Sequence, residues 1–179
     1  MITDIVLDLD ETLIHGLSMD APSELIRRMR NNLEYKVMED QSYIIFLRPG
    51  VRKFLTELCA VADVSVWTAA SQTYGSFIVK LLFDQPYRPC KAFFHRDHCD
   101  ASKSATGHLK NLQWLSEKGA PGLYPSHLSM VLVDDRADIM KSNPNRAIVI
   151  DPFTGNPSDK ALAATWSFLQ SVVPKHKHI

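Results

Sequence analysis

The 179-residue chain is 45% hydrophobic and 22% charged, the size and apolar content of one globular domain with its own core. Twenty basic residues balance twenty acidic ones, which argues against a general affinity for nucleic acid or an anionic membrane. No apolar stretch approaches the roughly 20 residues of a bilayer span, Met1–Asp4 opens no signal peptide, and three cysteines make no disulfide framework, so a reducing setting is expected, cytoplasmic or, in a eukaryote, nuclear.

Apolar runs alternate with helical patterns along the chain. Ile5-Val6-Leu7 reads as a short buried strand, and the spacing of Val51, Phe54, Leu55 and Leu58 predicts a helix over Pro49 to Cys59. Val64 to Trp67 is a second strand, and Tyr74, Phe77, Ile78, Leu81 and Leu82 form one stripe of a helix over Gln72 to Phe83. Ala92-Phe93-Phe94 reads as a third strand and Leu109 to Glu117 as a third helix. Met130 to Val133 and Ala147 to Ile150 complete five strands. A last helix is expected over Ser158 to Val172, with Ser158 and Asp159 as its cap candidates. Short apolar strands separated by helices predict an α/β domain with a largely parallel sheet, in one unit over 1–173. Residues 174–179 read as a tail or the start of a further region; His176 and His178 there would bind metal only adventitiously.

One stretch breaks the alternation. The 36 residues from Leu13 to Arg48 hold a helix opening at Pro22 and a hairpin that pairs Glu34–Met38 with Ser42–Phe46 across Glu39-Asp40-Gln41. They read as an insertion (13–48) above the sheet.

Three strands end in groups that carry chemistry. The first runs into Asp8-Leu9-Asp10-Glu11-Thr12-Leu13; carboxylates two apart on an extended segment project to one side, and ligands of open α/β sheets sit at the carboxyl ends of strands. The second ends in Thr68, the fourth in Asp134-Asp135, and Lys110 stands between them at the expected start of a helix. An acidic pair alone would be a surface turn. Repeated acidic strand ends imply a compensating cation, because uncompensated like charges repel.

This ordered set resembles the haloacid dehalogenase superfamily and, more narrowly, the phosphatases of the RNA polymerase II C-terminal domain, including the small C-terminal domain phosphatases. Arg48-Pro49-Gly50 and Trp67-Thr68-Ala69 fit the same pattern, which covers about residues 4 to 150. The resemblance implies a Rossmann-like fold and Mg²⁺-dependent phosphomonoester hydrolysis through an aspartyl phosphate. It makes Asp8 the nucleophile, Asp10 the general acid, Thr12 and Thr68 hydrogen-bonding groups, and Lys110 the phosphate holder. It gives the metal to Asp8, the backbone carbonyl of Asp10 and Asp135, with Asp134 behind, near the lysine. The family's narrower branch typically has Asp-Asn where this chain has Asp134-Asp135, and Asp138 is a third, weaker ligand candidate.

Other signals are weaker. Lys103 is a rival to Lys110, read here as a solvated loop charge. Cys90, His95, His98 and Cys99 cluster without the spacing of a zinc site, and Cys59 reads as core packing. Arg27, Arg28 and Arg30 form either a solvated face or an attraction for an acidic, phosphorylated partner. The insertion is too small for a full cap domain, and only 41 residues separate Thr68 from Lys110. An open site favours a phosphorylated protein or peptide, on serine, threonine or tyrosine. A small-metabolite phosphatase and a non-catalytic phosphopeptide-binding module are the alternatives.

Overall fold

A computed structural model describes residues 1–175 of the chain; His176 and His178 lie outside them. Five strands make one parallel sheet: β1 (Asp4–Leu7), β5 (Asp63–Trp67), β6 (Phe93–Phe94), β7 (Met130–Asp134) and β8 (Ala147–Val149). Their order is β6-β5-β1-β7-β8, so β1 lies at the centre. Asp4 pairs with both Asp63 and Met130, and the register keeps the carboxyl ends of β1, β5 and β7 level.

Strands covered on both faces must be apolar on both sides, and these are. Ile5 and Leu7 join the cluster formed with helices α2 (Val51–Cys59), α3 (Gln72–Leu82) and α7 (Ala161–Leu169). Val6 faces the other way, into a cluster with α4 (Arg96–Thr106), α5 (Leu112–Trp114) and α6 (Ile139–Ser142). The alternation follows from the two-residue period of a strand.

The insertion is a second, antiparallel sheet: β2 (Ile14–Ser18), β3 (Tyr35–Val37) and β4 (Tyr43–Leu47), ordered β2-β4-β3, with helix α1 (Ser23–Arg30) between β2 and β3. The expected hairpin pairs Tyr35 with Phe46 and Val37 with Ile44. Ile26 and Met29 of α1 bury against Ile44 and Phe46, so the insertion has a small core of its own.

Four expectations need correction. Strand β2 pairs with β4 over five residues, although Ile14-His15-Gly16-Leu17-Ser18 contains one fully buried side chain and a glycine. Helix α4 replaces an expected loop and carries Lys103 on its exposed side; its sequence lacks an apolar stripe, and only Cys99 and Ser102 are buried. Lys110 does not open a helix. Asn111 is the N-cap of α5, its side chain accepting the Trp114 N–H at 2.8 Å, and the short helix widens into a π turn over Leu115–Gly119. Finally, α7 is shorter than expected at both ends. Its N-cap position is Lys160, while Asp159 just ahead accepts the Ala161 N–H at 3.0 Å.

Candidate active site

Asp8 follows β1 directly, and its backbone N–H still donates to the Val133 carbonyl of β7 at 2.9 Å. The chain then turns sharply: the N–H groups of Thr12, Leu13 and Ile14 all point to the Leu9 carbonyl, at 2.8 to 3.2 Å. Leu9 and Leu13 are fully buried and anchor this turn in the core. Within it Glu11 has φ 61, the left-handed region that non-glycine residues rarely enter. Arg48 holds it there. Its guanidinium, fully buried, donates to the carbonyls of Glu11 (3.2 Å), Thr12 (3.0 Å) and Asp151 (2.6 Å) and pairs with both carboxylate oxygens of Asp159. The Phe153 N–H also donates to the Glu11 carbonyl, at 2.7 Å. A planar fork with five donors suits this task where a lysine would not.

The turn presents Asp8 to Lys110 and Thr12. Lys110 Nζ donates to Asp8 Oδ1 at 2.7 Å and to Asp134 Oδ2 at 2.6 Å, and Thr12 Oγ1 donates to Asp8 Oδ2 at 3.1 Å. The loop carrying Lys110 is fixed from behind, since its carbonyl accepts from Ser142 Oγ and Asn143 Nδ2 at 2.9 Å each. Asp134 also accepts the Arg136 N–H at 2.9 Å. Burial pushes the Asp8 carboxyl up to about 7; the Lys110 ammonium opposes this and Asp134 adds to it. Burial works against the charge on Lys110, but Asp8 and Asp134 outweigh it and hold the ammonium above its ordinary range.

Carboxylate oxygens of Asp8, Asp134 and Asp135 can lie within 4.8 Å of one another. Three carboxylates against one ammonium leave two negative charges unmatched, and two charges about 4 Å apart repel by about 4 kcal/mol at an effective dielectric near 20. A hard divalent cation fits both the oxygen donors and that deficit. Asp135, partly exposed, is raised by burial and by Asp134.

Asp10 is held separately. Its Oδ1 accepts from the Tyr74 hydroxyl at 2.7 Å. Burial raises the Asp10 carboxyl, and the Tyr74 bond partly offsets the rise. Burial and the facing Asp10 raise Tyr74 far above a free phenol, so it stays a neutral donor. The sequence places Tyr74 only in the apolar stripe of α3; its hydroxyl partner is 64 residues away.

The other candidates divide. Thr68 is buried at the end of β5, its N–H donating to the Phe94 carbonyl and its Oγ1 accepting the Ala70 N–H at 3.1 Å. Asp138 is drawn off by Arg136 at 2.9 Å. His98 Nδ1 accepts the His95 N–H at 3.2 Å and caps α4, while Cys90 and Cys99 turn their thiols to the carbonyls of Ala92 and Thr68. Arg27 pairs with Glu24 at 2.9 Å, and Arg30 lies over the Tyr35 ring. No helix among the described residues is long and apolar enough to cross a membrane.

The fold and this arrangement match known proteins. The family model of NLI interacting factor-like phosphatases matches residues 4–179. A CTD phosphatase-like protein of Invertebrate iridescent virus 3 is 30% identical over 158 residues, covering 83% of each chain. A counterpart in Invertebrate iridescent virus 6 is 27% identical over 180 residues, 97% of this chain and 98% of its own. CTD nuclear envelope phosphatase 1B of Danio rerio is 29% identical over 162 residues, 88% of this chain and 62% of its own. Among solved structures, the RNA polymerase II CTD phosphatase Fcp1 superposes with a TM-score of 0.57 at 16% identity, over 96% of this chain and 49% of that one, a likeness of fold. The chain is a phosphatase and belongs to the NLI interacting factor-like family of the haloacid dehalogenase superfamily.

Proposed function

We propose that the chain is a Mg²⁺-dependent phosphoprotein phosphatase that works through an aspartyl phosphate on Asp8. One observation carries the reading: the Asp8 carboxylate is buried at the central strand's end between Lys110 and Thr12, with Asp134 and Asp135 beside it. Asp8 attacks phosphorus, forming an O–P bond as the ester O–P bond breaks, and the leaving oxygen takes the proton of Asp10. A water then attacks phosphorus and gives its proton to Asp10, and the bond to Asp8 breaks, releasing phosphate and restoring both groups. Lys110 neutralises part of the phosphate charge, and Thr12 and Thr68 orient the reacting oxygens. Asp8, Asp135 and the Asp10 carbonyl would hold Mg²⁺, with Asp134 behind them, and the ion would supply the positive charge that an anionic nucleophile needs to approach an anionic ester.

A protein substrate is supported by the relatives named CTD phosphatases and by the small insertion, which has one eight-residue helix and leaves the strand ends without a full cap. The test is a panel of phosphoserine, phosphothreonine and phosphotyrosine peptides beside small phosphate esters, with and without EDTA. The peptides should be preferred, chelation should stop turnover, and Asp8→Asn should cost at least about 10³-fold with the fold intact. Preference for a small ester would replace the protein substrate with a metabolite, and turnover by pure Asp8→Asn would end the nucleophile assignment.

A further inference from the structure

Asp8 and Asp10 follow the same strand two residues apart but are gripped by different elements. Asp8 is held by Lys110 on the loop ahead of α5, whereas Asp10 is held by a phenol on α3. We infer that Tyr74 is a positioning residue for the general acid: its hydroxyl fixes Asp10 Oδ1, so that Oδ2 carries the proton given to the leaving oxygen. This rests on the assignment of Asp10 as that acid.

A carboxyl group on a short side chain turns easily. The last torsion of an aspartate is broad and two-fold, so an unrestrained Asp10 can offer either oxygen over a wide range of angles. A phenol hydroxyl donating to Oδ1 at 2.7 Å removes that freedom. With one oxygen engaged as acceptor, the acidic proton belongs on the other. The donor itself is well held. Tyr74 sits in the first turn of α3, where its N–H reaches the Ser71 side chain that caps the helix. A group borne on a helix is placed more tightly than one on a loop.

A second observation, on another element, shows that the phenol's location is built in. Gly16 lies in β2 with an ordinary backbone, since it is not among the residues of positive φ. Its lack of a side chain answers a different need. A Cβ at this position would stand 2.1 Å from the Tyr74 hydroxyl oxygen and 3.2 Å from the ring carbon that bears it. Glycine inside a strand marks close approach by another group, and here that group is the Asp10 donor. The Tyr43 ring of β4 closes another side, edge-on with ring centroids 5.3 Å apart. The insertion therefore shapes the slot in which the acid's partner sits.

The competing explanation is that Tyr74 merely packs the insertion onto α3. Tyr74→Phe separates the two, because it keeps the ring and deletes only the donor. The measurement is kcat/KM of the full chain on a phosphoserine peptide and on p-nitrophenyl phosphate, for wild type, Tyr74→Phe, Asp10→Asn and the double variant. This parameter covers steps up to departure of the leaving group, so slower release of phosphate from Asp8 does not enter. A nitrophenolate leaves without a proton; an alkoxide does not. Tyr74→Phe should lose about 10-fold on the peptide and about 2-fold on the aryl ester. In the Asp10→Asn background the same change should cost under about 2-fold on either. Equal losses of Tyr74→Phe on both substrates, or losses that multiply in the double variant, would overturn the positioning role. If Asp10→Asn alone loses equally on both, the acid assignment itself fails, and the inference falls with it.

Discussion

Two ion pairs of similar length stand in different surroundings. Lys110 meets Asp8 and Asp134 at 2.7 and 2.6 Å with all three side chains 9% exposed or less. On the insertion, Arg27 meets Glu24 at 2.9 Å with the partners 69% and 75% exposed. Water screens the second pair and already solvates its charges, so its net worth is a few tenths of a kcal/mol. The first has given up its hydration, and each member depends on the others. Distance alone says nothing about which pair matters; the solvent left around it decides.

Lys110→Met should have the largest effect. It strands two buried carboxylates beside each other and should cost about 3–5 kcal/mol, lowering Tm by about 10 °C at pH 8 in chelator. The loss should be smaller at pH 6, where Asp8 takes up a proton. Glu24→Gln, by contrast, should move Tm by less than about 1 °C. Similar shifts for the two variants would show that burial is not what distinguishes the pairs.

A second, smaller effect is set by the proton on Asp8. Its folded value of about 7 exceeds the ordinary 3.8, so burying the group is least costly where it is neutral. Its favourable contribution is complete below about pH 4 and is lost as pH rises through 7. Mg²⁺ held by the ionised form, as proposed, would compete with that proton. The Tm gain on adding Mg²⁺ should therefore be larger at pH 8 than at pH 5.5, by on the order of 5 °C. Asp8→Asn should flatten the difference. A gain independent of pH in wild type would mean that the metal does not engage this carboxylate.

The smallest effect concerns the arginines of α1. Deleting the helix would uncover Ile44 and Phe46, so charge reversal is the cleaner probe. Arg27→Glu with Arg28→Glu should lower kcat/KM for acidic phosphopeptides about 3-fold at low salt, leave p-nitrophenyl phosphate unaffected, and lose its effect near 0.5 M salt. An unchanged peptide rate at low salt would leave this helix face a solvated surface without a role in substrate capture.

The parallel sheet was legible because a strand covered on both faces must be a continuous apolar run, as Met130–Val133 is. The acidic strand ends could be read for the complementary reason: carboxylates repeated at neighbouring strand ends repel and call for a compensating cation. What stayed hidden lacked a pattern that one dimension can carry. Helix α4, Arg-Asp-His-Cys-Asp-Ala-Ser-Lys-Ser-Ala-Thr, has no apolar stripe and is capped by histidines, which are poor boundary signals. Strand β2 hides behind a glycine whose purpose is visible only once Tyr74 lies against it. The grip of Arg48 on Glu11 joins three parts of the chain, with Asp159 111 residues away from the arginine. Arg48-Pro-Gly in the sequence suggested a family pattern and said nothing of that task.

The central place of β1 has a consequence for how the molecule reaches its native state. Its two neighbours in the sheet come from residues near 64 and near 131, so its pairings close one loop of about sixty residues and another of more than a hundred. Contacts that distant in sequence form slowly, after the local helices and the insertion hairpin. Lys110 cannot meet Asp8 and Asp134 together until the β1–β7 pairing exists. On refolding from denaturant, recovery of helical signal should run ahead of recovery of turnover, and catalysis should report the last long-range closure.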